Sequence, residues 1–202
     1  RVDLQSADMH DHSWNSRLMP GAKNRTLGLV GFGGIGTEVA KRAVPFGMKV
    51  IYFCRHPNPA DDAAYGVQSV SMEELLKESD YVVAAVPLTD QTFHLFNEEC
   101  IAQMKAGSVL INIARGPVVD EEALAQALAS GHLGGCAVDV FPKEPCTDSV
   151  LTRYSNALLT PHSATSTAEN SKATNFAAAN NLVNYLKKDI DAKYVVVQGT
   201  RY

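Results

Sequence analysis

The segment LGLVGFGGIG, Leu27–Gly36, governs how the rest of the chain is read. Leu27, Leu29 and Val30 make a short apolar run. Gly31-Phe32-Gly33-Gly34-Ile35-Gly36 follows at once, and then a helical pattern that sets Ile35, Val39, Ala43 and Phe46 on one face. The order is strand, G-x-G-x-x-G, helix. Gly31 makes the tight turn, Gly33 lets backbone approach a diphosphate, and Gly36 lets the helix sit close on the strand. The helix N-terminus then offers free N–H groups and the positive end of its dipole to the phosphates. Alone, the glycine pattern would be compatible with a simple turn. With both flanks of the required kind, it predicts dinucleotide binding, with Gly31, Gly33, Gly34, Ile35 and Gly36 at the cofactor.

Working outward, apolar runs alternate with helical patterns. Strands are expected over Met48–Phe53, Val67–Val70, Tyr81–Val86, Ser108–Ile113, Gly135–Val140 and Ala157–Thr160, with helices between them. Ser71 is read as the cap of a helix reaching Glu78, with Glu74 as its capping-box partner, and Asp120 as the cap of Glu121–Ser130. Cys54–Pro59 is read as a loop. An Ala-rich helix is expected from about Thr167 to Lys188, then a strand-like tail at Ala192–Val197. Such alternation implies right-handed crossovers, hence an α/β, doubly wound parallel sheet of Rossmann type. Residues 1–165 are expected to form the dinucleotide-binding domain, and residues 166–202 a helix and tail leaving it.

Composition narrows the classes. The 202 residues carry a net charge of −4, which offers no electrostatic case for nucleic acid or an anionic membrane. No apolar run reaches membrane-span length. The cysteines Cys54, Cys100, Cys136 and Cys146 show no C-x-x-C spacing, as expected for reduced thiols in a cytoplasmic setting without structural zinc. His10-Asp11-His12 lacks a third ligand, and alternate helical residues do not share a face, so a solvated helix end is expected and no metal site. The chain begins at Arg1 within a helical pattern, as a fragment would, which leaves an upstream targeting segment open.

The cofactor type is read at the end of the second strand. An acidic residue there commonly binds the ribose 2′-OH. Here the position holds Cys54, followed by Arg55. A carboxylate would repel a 2′-phosphate, whereas a guanidinium clamps one, so NADP is expected in preference to NAD. The competing reading is a plain surface charge in a polar loop. Asp61 and Asp62 lie too far along to replace the missing acid.

In an open parallel sheet, ligands sit beyond the carboxyl ends of the strands. The fifth strand runs into Arg115, the sixth into Glu144 and the seventh into His162. A cation, an acid and an imidazole beside a dinucleotide suit carbonyl reduction. Hydride arrival leaves negative charge on oxygen, which His162 can protonate while Glu144 orients the ring. Arg115 offers a fork for a substrate carboxylate. Singly, each residue has a bland alternative: a loop charge, a solvated turn, a cap for the following helix. Their convergence on one edge favours the catalytic set Arg115, Glu144 and His162.

These motifs resemble the D-isomer-specific 2-hydroxyacid dehydrogenases. The resemblance runs from about Lys23 to Ala164 through GLVGFGGIG, VPLTDQT at Val86–Thr92, NIARGPVVDEEAL at Asn112–Leu124, GGCAVDVFPKEP at Gly134–Pro145 and TPHSA at Thr160–Ala164. It implies Arg115 as substrate-binding and Glu144 with His162 as the acid–base pair. It further implies nicotinamide contacts near Ala114 and Asp139, and a cofactor-lining turn at Val86, Pro87 and Thr92. The Cys54-Arg55 loop looks like that of the NADPH-preferring glyoxylate and hydroxypyruvate reductases, so a small 2-keto acid is the expected substrate and a homodimer the expected assembly. The sequence departs from the pattern at Cys54, where many members have Asp, and at Ser163-Ala164-Thr165, where a Gly is usual. The resemblance also implies a substrate-domain segment ahead of Arg1, onto which the C-terminal tail would return. Two alternatives stand beside the reductase reading. One is a dehydrogenase of formate or phosphite type; formate has no hydroxyl proton to move, which counts against it here. The other is a non-catalytic dinucleotide sensor like the corepressor branch of the family.

Overall fold

Seven short strands form one all-parallel sheet in the order β3-β2-β1-β4-β5-β6-β7, where the strands are β1 Thr26–Val30, β2 Lys49–Phe53, β3 Gln68–Ser69, β4 Tyr81–Ala84, β5 Val109–Asn112, β6 Gly135–Val138 and β7 Ala157–Leu159. The computed structural model describes residues 2–15, 21–189 and 191. The expected tail strand at Ala192–Val197 lies outside the described residues. The order reverses beside β1: β2 and β3 lie to one side of it and β4 to β7 to the other. The crevice of a doubly wound sheet opens at that point, beyond the carboxyl ends of β1 and β4.

Side-chain alternation sorts the core into two layers. Leu27 and Leu29 point to one face, where they pack with Val50, Tyr52 and Val83 against Ala40 and Ala43 of α2 (Gly34–Ala43). Val30, Ile51, Val82, Ala84 and Leu110 point to the other. There they meet Leu75 and Leu76 of α4 (Met72–Glu78), Ile101 of α5 (Glu98–Ala102) and Leu124 and Leu128 of α6 (Glu121–Ala129). Sheets covered on both faces need such near-continuous apolar strands.

Local chemistry sets the helix ends. The Ser71 hydroxyl accepts from the Glu74 amide at 3.1 Å, and Asp120 accepts from the amides of Glu122 and Ala123. The apolar face expected on the first crossover helix holds at Ala43, which is buried, and at Val39, which packs on the same layer, and is corrected at its ends: Ile35 is turned out into the cleft, Phe46 is exposed in a 3-10 turn that follows Ala43, and Gly36 and Ala40 complete the buried face. Cys54–Pro59 was expected to be loop throughout, yet Pro59 opens a helix, α3 (Pro59–Tyr65). Asn58 caps it by accepting from the Ala60 amide, and Pro59 suits the first turn because its missing N–H would have had no partner there. The remaining helices are α1 (Val2–His10) and α7 (Ala168–Leu186). No residue of α7 is buried, and Phe176, Leu182 and Leu186 stand exposed. None of the described helices is long and apolar enough to cross a membrane. All four cysteines are unpaired, and burial pushes the Cys100 thiol up to about 11 and Cys136 up to about 12.

The amino edge of the sheet is clamped by Asp80. Its carboxylate accepts from the Thr26 amide at 2.9 Å and pairs with Arg25 at 3.1 Å and Lys105 at 2.7 Å, while its backbone carbonyl accepts from Val109. One residue therefore ties the starts of β1, β4 and β5. Burial raises its pKa, but Lys105, the Thr26 amide and Arg25 together outweigh that and hold the carboxyl below its ordinary value. A carboxylate depressed on folding stabilises fully above its unfolded pKa and loses that effect as pH falls through the folded value. Asp80→Asn should cost about 1–3 kcal/mol at neutral pH. Urea unfolding should show the gap between wild type and variant closing as the pH is taken below the carboxylate range.

Candidate active site

The carboxyl edge gathers the residues singled out from the sequence. Gly31 follows β1 directly, at φ 102°, with its amide donating to the Phe53 carbonyl at the end of β2. A Cβ on Gly31 would fall inside contact distance of the Ala85 carbonyl, so this turn lies against the segment leaving β4. Gly33 is the N-cap of α2. It brings no side-chain cap, and the first turn carries no acidic residue. A Cβ on Gly33 or Gly34 would meet nothing within 4 Å, so the space in front of this helix end is open. Uncapped N–H groups facing open space at a helix N-terminus fit a diphosphate. At Gly36 a Cβ would sit 2.5 Å from the Gly31 carbonyl oxygen, which keeps the turn wound tightly on the helix.

Beside this turn lies a cleft of about 430 Å³, lined by Ile35, Ala85, Val86, Pro87, Leu88, Ile113, Ala114 and Arg115. Ile35, Val86, Pro87, Ala114 and Arg115 were expected here from sequence. Leu88, Ile113 and Ala85 complete the lining without having stood out, since an apolar residue next to a strand end carries no signal of its own. The Thr92 hydroxyl donates to the Pro87 carbonyl at 2.6 Å and accepts from the Thr89 amide at 2.8 Å, which closes the Pro87–Thr92 turn that continues from this wall. The two walls are stitched together where the His94 amide donates to the Pro117 carbonyl and the Phe96 amide to Val118.

Arg115 stands at the end of β5 on a loop braced by Asn112, a residue 1 % exposed. The Asn112 amide group donates to the Arg115 carbonyl at 3.0 Å and accepts from the Ala114 amide at 3.1 Å. The Arg115 guanidinium spends one donor on the Ala114 carbonyl at 2.8 Å. The next residue, Gly116, lies so close to Phe141 that a Cβ there would overlap the Phe141 carbonyl. Only glycine lets the loop after β5 press on the loop after β6, which carries Glu144.

Glu144 and His162 meet directly. Glu144 Oε2 lies 2.7 Å from His162 Nδ1, and Oε1 accepts from the Phe141 amide at 2.9 Å. The hydrogen bond to His162 is the main reason the Glu144 carboxyl lies below its ordinary value. The Phe141 amide and the charges of His162 and Arg115 add to it against a small opposing effect of burial. An ionised Glu144 can only accept, so Nδ1 carries the proton and Nε2 is the nitrogen left for a substrate. Arg115, Glu144 and His162 are thus brought to one place. Asp139 sits beneath them, 7 % exposed. Its carboxylate accepts from Thr160, Ser163 and Ala164. Burial pushes its pKa up, and those three bonds with the nearby His162 bring it below the ordinary value.

Cys54 packs against the core layer around Tyr52, and Arg55 is exposed beyond it. No described residue engages the Arg55 side chain. Asp62 is turned inward, accepting from the Tyr52 hydroxyl at 2.7 Å and the Ser69 amide at 3.3 Å. Among the described residues, no three His, Cys, Asp or Glu side chains gather in a way that would hold a metal ion.

The profile of the D-isomer specific 2-hydroxyacid dehydrogenases, NAD binding domain, matches residues 1–164. A glyoxylate reductase of Thermococcus litoralis is 42% identical over 175 residues, covering 87% of this chain and 53% of that protein. A hydroxypyruvate reductase of Thermotoga maritima is 42% identical over 170 residues, covering 81% of this chain and 54% of its own length. Among solved structures, a glyoxylate reductase from Paecilomyes thermophila superimposes with a TM-score of 0.86 at 36% identity, covering 93% of this chain and 57% of that one. The chain spans about half the length of the curated relatives it matches.

Two glycines separate fold from binding. Gly33→Ala should leave the melting temperature unchanged and weaken NADPH at least about tenfold in calorimetric titration, a loss of about 1.4 kcal/mol. Gly31→Ala should instead lower the melting temperature. Native affinity in Gly33→Ala would rule out the glycine turn as the diphosphate cradle.

Proposed function

The chain belongs to the D-isomer specific 2-hydroxyacid dehydrogenase family, and from that premise we propose that it is the nucleotide-binding half of an NADPH-dependent reductase of small 2-keto acids, of glyoxylate or hydroxypyruvate type. The observation that carries this reading is the 2.7 Å contact between Glu144 and His162 at the edge that also holds Arg115 and the glycine turn. A bound nicotinamide supplies a hydride to the carbonyl carbon. His162 Nε2 then gives a proton to the carbonyl oxygen, and Glu144 keeps the ring turned so that Nε2, not Nδ1, faces it. Arg115 has most of its planar fork to spare for a substrate carboxylate and for the developing charge on oxygen. The Ile35, Val86, Leu88 and Ile113 side chains give the cleft beside Arg115 an apolar lining against which a nicotinamide ring can lie.

The preference for NADPH rests on three side chains. Cys54 is no carboxylate, Arg55 holds a free cation beside it, and Asp62 is used inward, on Tyr52 and Ser69. The bare apolar residues of α7 are the surface offered to a substrate domain, in keeping with relatives about twice as long.

Turnover of glyoxylate and hydroxypyruvate by the full-length chain tests the activity. His162→Ala should lower kcat by about 10²- to 10⁴-fold with NADPH affinity retained. NADPH binding without turnover of any 2-keto acid would favour a dinucleotide sensor instead.

Arg55 allows a separate measurement. A lost charge-assisted contact with phosphate is worth about 1.5–3 kcal/mol, so Arg55→Ala should raise KM for NADPH by about ten- to a hundredfold and leave KM for NADH as it was. Equal effects on the two would contradict the assignment.

A further inference from the structure

Asp139 receives more of the chain than the end of a strand requires. Oδ1 accepts from the Thr160 hydroxyl at 2.5 Å and the Ser163 amide at 2.9 Å. Oδ2 accepts from the Ala164 amide at 3.1 Å, and the Asp139 backbone carbonyl accepts from the His162 amide at 2.8 Å. Four donors drawn from residues 160–164 therefore end on one residue. At the centre of that turn, His162 has φ 49°, the left-handed region that non-glycine residues occupy only where their surroundings hold them. Sequence offers no glycine at the turn; it runs Thr160-Pro161-His162-Ser163-Ala164. The bonds flank the strained residue, with Thr160 before it and Ser163 and Ala164 after it.

We propose that Asp139 is the positioning residue of the His162 imidazole: its carboxylate holds the Thr160 hydroxyl before His162 and the Ser163 and Ala164 amides after it, and so sets the left-handed turn that delivers the ring to Glu144. This rests on His162 being the proton donor of the proposed reductase. It assigns the carboxylate a task different from the nicotinamide contact that the family resemblance implies. A carboxylate has about four acceptor positions, and the turn uses three, so at most one remains for a cofactor. The arrangement also explains why this buried acid can stay charged without an arginine or lysine: three donors take the place of water.

Asp139→Asn is the direct test, because the amide keeps the shape and replaces one acceptor oxygen by a donor that faces donors. In the full-length enzyme, kcat for 2-keto acid reduction should fall by about 10²-fold, as for a reacting group misplaced by about an ångström. The fall in kcat should exceed any rise in KM for NADPH. Hydrogen exchange at the Ser163 and Ala164 amides should accelerate, while the amides of β1 and β4 keep their protection. Thr160→Val, which removes only the hydroxyl donor, should move kcat in the same direction by less, and it carries the test if Asp139→Asn does not fold. A raised KM for NADPH with kcat intact would make Asp139 a cofactor contact and overturn the proposal. So would native exchange at Ser163 and Ala164, or a loss of stability with native kcat. If the wild type reduces no 2-keto acid, the reductase reading fails, and the exchange measurement still decides whether Asp139 holds the turn.

Discussion

Backbone pressed on backbone at the carboxyl edge of the sheet is the constraint on which the site depends. Gly31 lies against the carbonyl of Ala85, and Gly116 against the carbonyl of Phe141, each too close for a Cβ. The first contact brings the glycine turn after β1 against the wall that leaves β4. The second brings the loop of Arg115 against the loop of Glu144. Without them the strands could still pair and bury their apolar faces, but their terminal loops would stand apart by roughly the thickness of a side chain. Catalytic geometry tolerates little of that, since an ångström of misplacement can cost about two orders of magnitude in rate.

The two ends of the sheet use charge differently. At the amino edge Asp80 is surrounded by cations and an amide, and its charge is spent on holding three strand starts together. At the carboxyl edge the carboxylates are met chiefly by neutral donors: Asp139 by a hydroxyl and two amides, Glu144 by an imidazole and one amide. Cationic charge there is left uncommitted. Arg115 gives one donor to a carbonyl, and Arg55 gives none to any described residue. Charge at the amino edge is thus spent on holding the fold, while the carboxyl edge keeps cations free for the anionic ligands of the proposed reaction.

Much of this could be read from the chain. Buried parallel strands announce themselves as continuous apolar runs, and the strand–glycine–helix order fixed where the sheet begins. Arg115, Glu144 and His162 could be placed on one edge because each follows a recognisable strand, and in a parallel sheet all carboxyl ends point the same way. What the chain does not show depends on partners far along the sequence or on caps whose role exists only in the folded state. Pro59 reads as loop from the polar, Pro-rich run around it, and only the fold shows Asn58 capping the helix that it opens. Ile35 and Phe46 fit a helical apolar face, yet one lines the cleft and the other is exposed, since the packed face of α2 is made of Gly36, Ala40 and Ala43. Thr92 and Asp139 carry the right chemistry for a cofactor contact. Their internal partners, the Pro87 carbonyl for Thr92 and the Ser163 and Ala164 amides for Asp139, are visible only in the fold.

A crystal structure of the full-length protein with NADPH and a non-reducible 2-keto acid analogue tests the central claim most directly. The account places the diphosphate at Gly33 and Gly34, and the nicotinamide between the Val86–Leu88 and Ile113–Arg115 walls. The analogue's carboxylate should lie on Arg115 and its carbonyl oxygen within hydrogen-bond reach of His162 Nε2. A ligand bound elsewhere, or a carbonyl turned away from His162, would contradict it.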